Sequence, residues 1–105
     1  LPMATIETFY SGELRTNVKH LSSGKELITD APIDNMRKGQ TFSPSDLMCV
    51  SLGSCMLTTI GISANSNNYS IIGTKMTTTK IMTSNPRRVN EVIIEFFMPD
   101  LSYTN

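Results

Sequence analysis

The chain has 105 residues, 39% of them hydrophobic, and its nine basic and nine acidic residues balance to zero net charge. That length makes one domain, and charges spread without runs leave no basic tract of the kind that holds nucleic acid. No run approaches the roughly 18 consecutive apolar residues of a membrane span, so no membrane partner is expected.

Residues 4–10 and 13–21 read as strands separated by a Ser11-Gly12 turn signal. In the second, Leu14, Thr16, Val18 and His20 share one face and Glu13, Arg15, Asn17 and Lys19 the other. Ser22-Ser23-Gly24-Lys25 is a tight-turn sequence leading to a short strand over residues 26–29. A polar loop over residues 30–40 follows, punctuated by Pro32, Asp34-Asn35 and Gly39.

Next comes the most informative stretch, FSPSDLMCVSLGSCMLTTI, from Phe42 to Ile60. Ser43 is a good N-cap, since its hydroxyl can accept a bond from an orphan amide of the first turn. Pro44 suits the first helical position, where its missing N–H costs nothing. Asp46, three residues after Ser43, completes a capping box. Beyond it, Leu47, Met48, Val50, Leu52, Met56, Leu57, Ile60 and Ile62 leave no charged face, which predicts a buried helix from Pro44 to about Ala64.

One small sheet covers one side of such a helix, so a second subunit or further chain must cover the other. Ser51, Ser54, Thr58 and Gly61 recur at helical spacing, and a stripe of small residues lets another backbone approach; a two-fold-related helix is the natural partner. Asn65-Ser66-Asn67-Asn68 ends the helix.

Residues 69–82 have a β-type composition rich in Ile and Thr, and Ser84-Asn85-Pro86 is a turn. Residues 89–98 form the strongest predicted strand, with Val92, Ile94, Phe96 and Met98 on one face, Glu91 and Glu95 on the other, and Pro99 closing it. Strands, one buried helix, then strands is an α+β order.

Cys49 and Cys55 lie about 9 Å apart along the helix axis, beyond the roughly 7 Å between Cα atoms that a disulfide spans. As residues alone, both read as small core hydrophobes. His20 has no companion at metal-ligand spacing, so neither metal nor cofactor is expected. Arg87-Arg88 is a solvated turn or an anion contact. Met36, Met48, Met56 and Met98 are core filler or the lining of a soft acyl pocket.

The run SPSDLMCVSLGSCMLT resembles the OsmC/Ohr family of osmotically induced and organic-hydroperoxide-resistance proteins. GELRTNVKHLSSG, TDAPIDN and NPRRVNEVIIEFFMP look like flanking pieces of one branch of it, so the resemblance runs from Gly12 to Pro99. It implies an antiparallel sheet wrapped on a long buried central helix, completed by a two-fold homodimer. It also implies cysteine-based peroxidase activity in oxidative-stress defence: Cys55 takes the place of the reactive cysteine and reduces organic hydroperoxides.

Cys55 lies beyond the helix's first turn, where the dipole fades, so its thiolate needs a cation from elsewhere. The family supplies an arginine from an N-terminal strand; Arg15 is the candidate, with a solvated strand charge as the plain alternative. The family's glutamate that holds this arginine would fall at Ser45, and the adjacent Asp46 is already the cap partner.

Relatives continue into a further helix that carries a resolving cysteine, whereas this sequence stops at Asn105. The expectation is a single OsmC-like domain over residues 3–105, C-terminally short, reduced by an external thiol. Residues 1–2 are expected to be foreign to the natural chain, with no signal peptide before Met3. A cytoplasmic location follows, with reduced cysteines and a chance Asn68-Tyr69-Ser70 sequon. The alternative is a non-catalytic relative that binds a small apolar or acyl ligand at the dimer interface.

Overall fold

The computed structural model describes residues 3–31, 41–99 and 102–103. Most of the loop expected over residues 30–40, Met36 included, lies outside the described residues. The chain forms two compact units, Leu1–Leu47 and Met48–Asn105.

The first unit is a three-stranded antiparallel sheet in the order β1 (Ile6–Gly12), β2 (Arg15–His20), β3 (Glu26–Asp30). The β1–β2 turn lies two residues later than the Ser11-Gly12 signal suggests. It closes on Glu13 and Leu14, both at positive φ (57° and 63°), as a two-residue hairpin loop requires. Ser11 and Gly12 sit instead in an irregularity of β1, between the Tyr10↔Thr16 and Gly12↔Arg15 pairs. Leu14 therefore belongs to the turn and not to a strand face.

Between β2 and β3 the tight turn sets a register of Lys19↔Glu26, Asn17↔Ile28 and Arg15↔Asp30. Strand β3 runs one residue further than expected, taking Asp30 into the sheet. Its end is tied back to the chain before the helix, because the Asp30 N–H donates to the Phe42 carbonyl at 2.9 Å.

Helix α1 spans Pro44–Ser66, two residues past the expected end. The capping box forms as read: the Asp46 N–H donates to Ser43 Oγ at 3.1 Å, and the Ser43 N–H donates to Asp46 Oδ2 at 2.9 Å. Asn68 at φ 60° ends the helix, a residue type that tolerates the left-handed region.

The helix is apolar, but the single chain buries only Cys49, Gly53 and Ala64 along it. Met48, Val50, Leu52, Met56 and Ile62 are exposed. Ser51, Ser54, Thr58, Thr59 and Ser63 interrupt any unbroken apolar run, although by length and averaged hydropathy the helix meets the requirement for crossing a membrane. Core helices of other proteins meet that same requirement.

In the second unit, residues 69–82 are not one strand. Strand β4 (Tyr69–Ser70) ends in a turn in which the Thr74 N–H donates to the Ile71 carbonyl and Gly73 takes φ 93°. A glycine inside a strand-like pattern is the signal for such a break. Strand β5 (Lys75–Thr83) then pairs with β6 (Arg88–Phe97), and β4 pairs with β7 (Ser102–Tyr103), both antiparallel.

Val92, Ile94 and Phe96 are half-buried on one face of β6, as the alternation predicts, opposite Lys80, Thr78 and Met76. Met98, expected on the same face, lies past the end of the strand and is exposed. That face meets the helix at Gly53: a Cβ there would stand 2.5 Å from Met76 Cε and 3.6 Å from Thr78 Oγ1.

Two stability outcomes follow. Ser43→Ala removes a fully buried cap and should cost about 1–2 kcal/mol in denaturant unfolding. Gly53→Ala should stay within about 1 kcal/mol, since the terminal methyl of Met76 can swing away while helix propensity improves. Gly53→Val should lose roughly 1–3 kcal/mol to overpacking.

Candidate functional site

Strand pairing brings Arg15 and Asp30 together. They are directly opposed on neighbouring strands, so their side chains leave the sheet on the same face. Arg15 Nη2 donates to Asp30 Oδ2 at 3.4 Å, long for a hydrogen bond but within ion-pair range. The Asp30 side chain is 0% exposed and that of Arg15 31%. A carboxylate held away from water keeps its charge only with a counter-charge and hydrogen bonds around it. Arg15 is therefore no loosely solvated strand charge.

Beside it, Arg15, Asn17, Glu26, Leu27, Ile28 and Thr41 line an open depression of about 440 Å³. The buried floor of this unit is polar as well: the Thr16 N–H donates to Thr29 Oγ1 at 3.2 Å, and the two threonine hydroxyls are hydrogen-bonded to each other.

At the helix start, Ser45 Oγ lies 3.2 Å from Ser43 Oγ, and Asp46 accepts from the Ser43 N–H as the cap partner. Asp30, read as the first residue of a polar loop, is a carboxylate paired with Arg15. The signal was present: a turn that pairs Lys19 with Glu26 must, in antiparallel register, pair Arg15 with Asp30.

Cys55 lies in the second unit, on the helix, as an exposed free thiol, while Cys49 is buried at 4% exposure. The hydroxyl of Thr59, one turn on, donates to the Cys55 carbonyl at 2.8 Å. Residues at helical spacing from the thiol are mixed and exposed: Met48, Leu52 and Ile62 are apolar, and Ser51, Thr58 and Thr59 are polar. Elsewhere, His20 Nδ1 is 2.6 Å from Ser23 Oγ in the turn after β2, as a satisfied strand histidine. No group of three or more His, Cys, Asp or Glu side chains suited to a metal ion occurs among the described residues.

No family model and no curated protein matches the chain. A crystal structure does: that of a protein from Psychrobacter arcticus 273-4, named for osmotic stress induction and detoxification response. It is 50% identical, with a TM-score of 0.88 over 93% of this chain and 72% of that one. The chain belongs to the OsmC family. Its α+β order, one helix with antiparallel sheets among the described residues, is the OsmC-like fold that the central run of the sequence suggests.

For this OsmC-family chain, the ion pair carries a stability consequence. Arg15→Ala leaves the buried Asp30 carboxylate without this guanidinium and should cost about 1–3 kcal/mol in urea unfolding. Lys19→Ala, on the same strand but exposed, should stay within about 0.5 kcal/mol.

Proposed function

We propose that this protein is a stress-defence enzyme that reduces organic hydroperoxides with the thiol of Cys55. The observation that carries this reading is the contrast between the two cysteines: Cys55, which the sequence resemblance assigns as the reactive cysteine, is exposed, and Cys49 is buried. The Cys55 thiolate attacks the distal peroxide oxygen and the O–O bond breaks. The alkoxide leaves with a proton as the alcohol, and the sulfur becomes a sulfenic acid. Arg15 supplies the positive charge that favours the thiolate.

An external thiol then condenses with the sulfenic acid, releasing water, and a second thiol equivalent frees Cys55 as a mixed disulfide is reduced. The active species is a cytoplasmic two-fold homodimer, with no role for nucleic acid or membrane. What supports the dimer is a helix with more apolar surface than its own chain covers.

Treatment with cumene hydroperoxide should add one and then two oxygens to the intact chain. That uptake should vanish in Cys55→Ser and persist in Cys49→Ser. Silence of both thiols would favour the ligand-binding alternative, in which the exposed Met48, Leu52 and Ile62 receive an acyl group. Sedimentation at micromolar concentration should give a dimer; a well-folded monomer would remove the argument from helix coverage.

A further inference from the structure

We infer that Met76 is an oxidative modification site, at which a peroxide converts the thioether to a sulfoxide and so loosens α1 from β5. The step is separate from the thiol chemistry proposed for Cys55. Met3, Met48, Met56 and Met98 are exposed, and an oxygen added there meets water. Met76 is placed differently. It is half-buried opposite Phe96 in the β5–β6 ladder, and its side chain ends against the helix. A Cβ on Gly53 would stand 2.9 Å from Met76 Sδ and 2.5 Å from its Cε, so sulfur and methyl together fill the gap that the glycine leaves.

The Sδ lone pair attacks the terminal oxygen of the peroxide, an S–O bond forms and the O–O bond breaks. The proton of the transferred oxygen passes to the departing one, which leaves as an alcohol or, from hydrogen peroxide, as water. The sulfur is thereby oxidised by two electrons and the peroxide reduced by two. A soft apolar group has become a polar one.

Kept at Gly53, the new oxygen must share a gap that is already filled, beside helix amides already bonded to carbonyls four residues back. Swung out to water, it draws the sulfur with it and leaves a void against the helix. Either course weakens the contact, two residues before Cys55. A thioether is a weaker nucleophile than a thiolate, so the site answers prolonged exposure. Methionine sulfoxide reductases can undo the change.

The test holds the full chain carrying Cys55→Ser in excess hydrogen peroxide for hours, so that oxidation of that thiol contributes nothing. Trypsin cuts after Lys75 and Lys80 and releases Met76 in a peptide of its own, apart from Met82. That peptide should gain one oxygen, and the protein should melt about 4–8 °C below the untreated sample at equal concentration. Met76→Leu in the same background, a swap of similar volume, should keep its Tm through the treatment. Met76 left unoxidised once Met3 is fully oxidised overturns the inference. So does an oxidised Met76 with unchanged Tm, or an equal loss of Tm in Met76→Leu.

Should Met76→Leu not fold, the time course decides. Loss of thermal stability that keeps pace with oxygen uptake on the peptide of residues 76–80 supports the site, and a loss that follows another methionine overturns it.

Discussion

A buried carboxylate has to be answered by the chain that buries it, and the first unit is arranged around that demand. Asp30 is shut off from water at the end of β3, and the register that places it there also places Arg15 opposite. The backbone of the same residue bonds to Phe42, immediately before the buried cap Ser43. One residue thus joins a charge pair, a sheet edge and the approach to the helix.

The second unit meets a different constraint, a 23-residue helix with no charged side chain after Asp46. Ion pairs along the helix cannot stabilise it, so its cap and its packing must. Gly53 contributes to the packing by leaving room for the end of the Met76 side chain of β5, which a Cβ there would displace. The half-buried face of β6, Val92, Ile94 and Phe96, stands on the same side of the β5–β6 ladder. A glycine two residues before Cys55 is therefore explained by the sheet it admits.

The parts of this fold with short-range causes were legible in the sequence. The capping box over Ser43, Pro44 and Asp46 formed bond for bond, and the alternation of β6 gave its buried face. Cys49 is core, as its residue type suggests. Where the reading missed, the cause was a contest between local signals. Ser11-Gly12 looks like a turn, but the strand pairing places the turn at Glu13-Leu14 and leaves an irregularity behind. The Ile- and Thr-rich residues 69–82 look continuous until Gly73 turns the chain. The ion pair was hidden because Asp30 stands at a strand–loop boundary, where composition argues for loop and only register argues for strand. Family membership was carried by the run around Cys55; the acid beside Arg15 was not.

The charge-free stretch has a further consequence for the fate of the chain once unfolded. From Leu47 to Thr74 no lysine, arginine, aspartate or glutamate interrupts the sequence, and the only proline near it is Pro44 at the helix start. Such residues act as gatekeepers, because they oppose stacking of apolar segments into intermolecular β-structure. In the native state the helix occupies the backbone bonds of much of this stretch. When the helix opens, a long neutral segment rich in Ile, Leu, Met and Thr is released with nothing to keep copies apart. Loss of the native state should then be governed by the rate of opening, with precipitation following before refolding can compete.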